Sequence, residues 1–226
     1  MDQRMIAGYA PGAPAARMEN HGPTMARISL TAGQDVLART GSMVAYEGFI
    51  QYESNPAALK QMFAGRITGE SVPLMKCHGD GQLYLADYGA DVVCLPLQGD
   101  NLSVNASNVL AFDAHLEWGV QRVKGIAKFA GQGFFNLGIT GTGWVAVTSR
   151  GTPVVVDCGQ AGETYVDPDA LVAWSTGLRM TPKRSFKASS LIGRGSGEAF
   201  QLAFSGQGFV IVQPSEDSTD RLQQQQ

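Results

Sequence analysis

Short runs in which apolar residues recur at every second position punctuate this chain. Pro73, Met75 and Cys77 form one such set, Phe135, Leu137 and Ile139 a second, and Phe200, Leu202 and Phe204 a third. That period is the mark of a strand with one buried face. A second apolar run follows each set: Leu83-Tyr84-Leu85, Val145-Ala146-Val147 and Val210-Ile211-Val212. Between the two runs lie Gly79-Asp80-Gly81, Gly141-Thr142-Gly143 and Gly206-Gln207-Gly208. A Gly-x-Gly joining two alternating runs predicts a hairpin, because glycine reaches positive φ without a Cβ clash. A second marker, two aliphatics, an alanine and an aromatic, also occurs three times. It is Met43-Val44-Ala45-Tyr46, Val109-Leu110-Ala111-Phe112 and Leu171-Val172-Ala173-Trp174. The alanines Ala45, Ala111 and Ala173 and the glycine pairs share a spacing of about 62–66 residues, which predicts one structural unit used three times.

The fold class expected is all-β: a pseudo-threefold β prism, akin to a short double-stranded β-helix. The first unit is expected at 65–118 and the second at 124–180. The third is expected to be split between the ends, with its hairpin at 197–213 and its marker at 27–53. Arg27–Leu30 would then lie beside Phe209–Gln213, closing the ring and removing two exposed sheet edges. One helix is expected near 56–64. Asn55 caps it, Pro56 starts it, Gly65 ends it, and Leu59, Met62 and Phe63 share a face. Residues 1–25 and 217–226 are expected to be a flexible arm and tail around a single domain at 26–216.

At 226 residues the chain is long enough for one β domain with a substantial core, and 28 glycines and 10 prolines suit many short strands. A net charge of −3 gives no bulk attraction to nucleic acid. The three cysteines, Cys77, Cys94 and Cys158, have no metal-like spacing and sit in apolar patterns. They are expected to be reduced core thiols, which points to the cytoplasm. Residues 1–25 hold no continuous apolar stretch, so neither a signal peptide nor a membrane span is expected there.

The chemistry-bearing residues do not converge in the sequence. His21, His78 and His115 are far apart, whereas a cupin-type metal centre needs two or three histidines and a carboxylate on one ion. His78 is expected to face a turn. Gly193-Arg194-Gly195-Ser196-Gly197 lacks the strand-to-helix setting of a nucleophile elbow, and Gly131-Gln132-Gly133 lacks the helix that a phosphate loop requires. No catalytic residue, metal ligand or cofactor site is therefore expected.

Charge is segregated along the chain. Cys77 to Gln121 carries six acids and no Lys or Arg. Trp118 to Val156 carries no acid but has Arg122, Lys124, Lys128 and Arg150. Ala170 to Gly197 carries none but has Arg179, Lys183, Arg184, Lys187 and Arg194. Arg179, Lys183, Arg184, Lys187, Arg194, Arg122, Lys124 and Lys128 form the candidate partner-contact surface, facing an acidic stretch of another copy or an anionic partner.

The succession GESVPLMKCHGDGQLYLADYGADVVCLPLQGDNLSVNASNVLAFD, then GQGFFNLGITGTGWVAVTSRG, then VDPDALVAWS, resembles the family named for altered inheritance of mitochondria protein 24. The resemblance covers about residues 26–214. It implies a fold like the tryptophan RNA-binding attenuator protein and no known enzymatic activity. Mitochondrial members are linked to inner-membrane organisation, and no catalytic residue carries over. The function expected is thus a non-enzymatic, scaffold-like binding or assembly protein, itself a homo-oligomer, with any other protein partner unnamed. A cupin-like enzyme or small-ligand binder using the prism interior is the alternative. RNA binding by fold analogy is the second, against which the net charge argues. Peripheral membrane attachment has no residue pattern behind it.

Overall fold

In the first two groups the spine is one long strand creased at its glycine pair, with strands laid along both edges, and in the third the spine is divided at Gly206. The computed structural model describes residues 11–54, 73–122, 135–159, 162–184 and 200–214. The first group of strands is β1 (Met18–Asn20), β2 (Ala26–Leu30), β3 (Val36–Arg39), β4 (Met43–Ser54) and β5 (Leu74–Leu85). The second is β6 (Asp91–Asn105), β7 (Val109–Asp113), β8 (Glu117–Arg122) and β9 (Phe135–Ser149). The third is β10 (Val154–Cys158), β11 (Thr164–Val166), β12 (Leu171–Ser175), β13 (Arg179–Arg184), β14 (Phe200–Ser205) and β15 (Gly208–Val212). Every pairing is antiparallel.

The same arrangement occurs three times. Spine β5 carries β2 and β3 along one edge and β4 along the other. Spine β9 carries β6 on one edge and β7 and β8 on the other. In the third group β15 lies between β10 and β12, and β14 between β11 and β13. The alternation seen in the sequence is the core face of these spines: Cys77, Leu137, Ile139, Leu202 and Phe204 are fully buried. Burying each large side chain contributes about 1.5–3 kcal/mol.

The second marker is a β-bulge. Met43 pairs with Leu85 but Ala45 with Tyr84; Val109 pairs with Val147 but Ala111 with Ala146; Leu171 pairs with Val212 but Ala173 with Ile211. One extra residue, Val44, Leu110 or Val172, is inserted in each ladder. Such an insertion interrupts the in–out alternation. This is why Val109 to Phe112 and Leu171 to Trp174 are buried at consecutive positions. The bulged strands also join the groups. β7 pairs with β3 through Val36↔Asp113 to Ala38↔Ala111, and β12 pairs with β6 through Val104↔Ala173 to Leu102↔Ser175. A central cluster packs Leu37, Phe112, Leu137, Val172 and Ile211, drawn from all three groups. Two flanking clusters hold Met18, Ile28, Leu83 and Leu110, and Cys158, Trp174, Phe204 and Val210.

Four expectations change. The glycine pairs are not hairpins: β5 and β9 run straight through Gly79–Gly81 and Gly141–Gly143. Only at Gly206 does the spine break, sending β14 and β15 into different sheets. Gly79 and Gly81 have φ of 130° and 151°, which crease the strand without ending its ladder. His78, expected in a turn, accordingly lies inside β5, opposite Gln51. The third unit is not split between the ends, because β2 pairs with β1 and β5 while β15 pairs with β10 and β12. Each bulged strand pairs with the spine that follows it in the chain, so the three groups run consecutively. Finally, the expected flexible arm contains β1, whose Met18 is fully buried and whose Glu19 holds Arg27 at 2.8 Å. The helix expected near 56–64 and the tail at 217–226 lie outside the described residues.

A Cβ at Gly81 would overlap the carbonyl oxygen of Glu47, in a φ region that side chains avoid. Gly81→Ala should destabilise the fold by about 3 kcal/mol or more. Gly33→Ala, with φ of 82° but open space, should cost only about 1–2 kcal/mol. Urea midpoints of the two variants check this.

Candidate functional site

Two surfaces stand out: a polar cleft at the end of the molecule where the bulged strands begin, and the open edge of β4. Single 3-10 turns precede two of the bulges, Ala106–Asn108 and Pro168–Ala170, each started by an Asx side chain that accepts a backbone N–H, Asn105 from Ser107 and Asp167 from Asp169. Such caps are local, so they follow directly from the Asn and Asp placement. They aim Asn108 inward, where its Nδ2 donates to the carbonyl of Thr148 at 2.9 Å and to Oε1 of Gln213 at 3.3 Å. Gln213 also accepts from the Arg150 amide and donates to the carbonyl of Asp169. This buried network ties the second group to the third.

Above it opens a cleft of about 660 Å³ lined by Arg39, the Asp87–Ala90 turn, Ser107, Asn108 and Thr148–Gly151. Arg39 donates to the carbonyls of Val109, Ala106 and Ser107 and lies 3.8 Å from Asp87. Tyr88 forms the rim with φ of 46°, a left-handed conformation rare for an aromatic residue, and its side chain is fully exposed. The cleft is polar and its floor is already hydrogen-bonded. Among its described lining residues, the Ser107 hydroxyl is bonded to the Asn105 and Asn108 side chains and the Ser149 hydroxyl to the carbonyl of Gly151.

Among the described residues no group of three His, Cys, Asp or Glu side chains could hold a metal ion. His115 is bonded to the carbonyl of Thr142 at 2.9 Å, and His21 packs edge-on against Tyr84. All three cysteines are free; burial pushes the Cys77 and Cys94 thiols up to about 12. No helix of the described residues is long and apolar enough to cross a membrane.

Of the basic candidates, the structure brings together Arg179 and Lys183 on β13. Arg179 is exposed, while Lys183 is held 3.2 Å from Glu163. Arg122 and Arg184 end β8 and β13, and their side chains lie outside the described residues, as do Lys124, Lys128, Lys187 and Arg194 altogether. The residues that sequence reasoning passed over are those following the markers. Asp113 is buried, ion-paired with Arg17, and accepts the Trp144 amide at 2.8 Å. Ser175 accepts the Phe209 amide in the same way at 3.1 Å. A Cβ at Gly143 would lie 2.8 Å from the Asp113 carboxylate and one at Gly208 2.8 Å from Ser175, so these glycines make room for the polar cap. The signal was present in the sequence as a polar residue after each marker aromatic.

The open edge lies on β4. In β7 and β12 the marker residues are buried, with Phe112 at 0% and Trp174 at 4% exposure. In β4 the equivalent Tyr46 is 47% exposed, and Met43, Val44 and Phe49 are exposed beside it. β4 has β5 as its strand partner, and its outer edge takes none among the described strands. An exposed, partly apolar sheet edge is a template for another strand.

Asp113→Ala would take one partner from the partly exposed Arg17 guanidinium, which keeps its bonds to Gln34, and would leave the part-buried Trp144 amide without its acceptor, and should destabilise by about 1–3 kcal/mol. Glu47→Ala, at the exposed equivalent position, should stay within about 0.5 kcal/mol, and urea denaturation separates the two. Cys77 yields a pH prediction. Its thiol ionises near 9 when unfolded and near 12 when folded, so its contribution is complete below pH 9 and is lost as pH rises toward 12. Stability should fall by up to about 1.4 kcal/mol per pH unit in that window, and Cys77→Ala should flatten the fall.

The model of the family described as Mitochondrial biogenesis AIM24 matches residues 16–215. No curated protein sequence matches the chain. The crystal structure of a Streptococcus pyogenes protein superposes with a TM-score of 0.72 at 22% identity, covering 92% of this chain and 96% of that one. At that identity the likeness establishes a shared fold and nothing further. A family match over nearly the whole described chain, on an all-β architecture common to a solved structure, means that the protein belongs to the AIM24 mitochondrial biogenesis family.

Proposed function

We propose that this is a non-enzymatic assembly protein whose working surface is the outer edge of β4. The observation that carries the reading is Tyr46, exposed together with Met43, Val44 and Phe49 on the one bulged strand whose outer edge is unpaired among the described strands. Strand addition to a sheet edge supplies backbone hydrogen bonds for affinity and side-chain alternation for specificity. The thiols favour binding over chemistry as well, since burial keeps Cys77 and Cys94 protonated at neutral pH. Three free cysteines fit a reducing compartment, and we place the protein in the cytoplasm. The family description, mitochondrial biogenesis, is compatible with an assembly role and does not name a reaction.

The small-ligand reading is less favoured because the centre where the groups meet is packed with Leu37, Phe112, Leu137 and Ile211. RNA binding is less favoured because Lys183 is already paired with Glu163.

A photo-crosslinking residue at position 46 or 49 should give discrete higher-mass adducts in the native cell. The same residue at position 88, more exposed still and on the cleft rim, should not. Absence of adducts at both 46 and 49, or turnover of a metabolite that one point substitution abolishes, overturns the assembly reading.

A further inference from the structure

We propose that the outer edge of β4 receives β11 of a second copy of this chain, in a register that the molecule already uses twice within itself. The inference rests on the assembly reading above and names its partner.

Two of the three bulged strands are covered, and by equivalent strands. β3 lies on its spine with Val36 opposite Cys77 and Ala38 opposite Met75, two and four residues before Gly79. The end of β6 lies on its spine with Leu102 opposite Ile139 and Val104 opposite Leu137, two and four residues before Gly141. β11 lies on its spine with Thr164 opposite Phe204 and Val166 opposite Leu202, two and four residues before Gly206. The three strands therefore occupy one position in the repeated arrangement. The other edge of β3 covers β7, and the other edge of β6 covers β12. By the same rule β11 covers β4, yet within the chain the two are not paired and each has a free edge among the described strands.

The two existing contacts also fix the register. Ala38 faces Ala111 and Val104 faces Ala173, so Val166 faces Ala45. Leu37 faces Phe112 and Ser103 faces Trp174, so Tyr165 faces Tyr46. Val36 faces Asp113 and Leu102 faces Ser175, so Thr164 faces Glu47. Tyr165 and Tyr46 are 53% and 47% exposed, and an aromatic cross-strand pair is among the favourable ones. None of these six residues brings an unmatched basic group to the contact. Pairing between copies completes for β4 the interface that β7 and β12 have inside the chain.

Such a contact joins two different surfaces, so it is head-to-tail and leaves one free edge of each kind at the ends of any open assembly. The copies then close into a ring or extend as a filament. Because backbone hydrogen bonds and an aromatic pair make the contact, raising salt should leave it intact, unlike a contact set by surface charge.

Engineered cysteines test the pairing directly. A Tyr46→Cys protein mixed with a Tyr165→Cys protein under mild oxidation should give a disulfide-linked heterodimer on a non-reducing gel. Either variant alone should give at least ten-fold less dimer. The double variant should form a ladder of covalent oligomers. A double variant that instead becomes an internally cross-linked monomer shows that the chain closes on itself and overturns the second-copy assignment. Absence of any cross-link also overturns it. If position 46 still yields adducts to another protein in the cell, the assembly reading survives that failure. Tyr46→Asp gives up the edge-on contact with Tyr52, so its folding is checked by melting temperature; the folded variant should show self-association weakened at least ten-fold in light scattering at both low and high salt, and an unchanged association would overturn the proposal.

Discussion

The first group of strands depends on the approach of two backbones where the bulged strand β4 crosses the crease of its spine β5. In β5 a side chain at Gly79 or Gly81 would overlap the carbonyl oxygens of Phe49 and Glu47, so the ladder between β4 and β5 continues through the crease only because both positions lack a Cβ. The positive φ at these glycines redirects the spine while its edge pairing persists on the far side. The third group makes the consequence plain, for there the spine divides at Gly206 and its two arms enter separate sheets. Without the crease, one strand could not serve the core on both sides of the corner.

The bulges complement the creases. An inserted residue in β7 and β12 allows consecutive side chains to be buried, filling both the central cluster and its flanking neighbours from a single short strand. The polar residue after the marker then caps an amide just beyond the crease, a carboxylate in Asp113 and a hydroxyl in Ser175. Buried polar groups cost free energy unless they are satisfied, and here the cap satisfies a spine amide in the same step. Asn108 and Gln213 play a similar part at the other end, binding the second group to the third.

Much of the fold was legible in the residues. Alternation located the buried faces of the spines, and a shared period between the glycine pairs and the aliphatic-alanine-aromatic markers exposed the threefold use of one arrangement. The meaning of the markers was not legible. A Gly-x-Gly between alternating runs has the same composition whether the chain reverses or only bends, because both require the same backbone freedom. The division of the third unit between the ends failed for a related reason, since a fixed period cannot tell which neighbouring copy of a strand it will pair with. The basic residues Arg179 and Lys183 stood out in the sequence only as members of a basic stretch; that they share β13, and that Lys183 meets Glu163, was set by the fold.

The sequence by itself determined that this is an all-β chain built from three similar sets of strands, since hydrophobic period and glycine placement act locally and do not need the rest of the molecule. It also held the family pattern over most of its length. Only the tertiary structure decided which marker strands are covered. Tyr46, Phe112 and Trp174 occupy the same place in one motif, yet the last two are buried and the first is exposed. Burial depends on whether another strand reaches the outer edge, a long-range pairing between segments distant in the chain, and no local pattern carries that information.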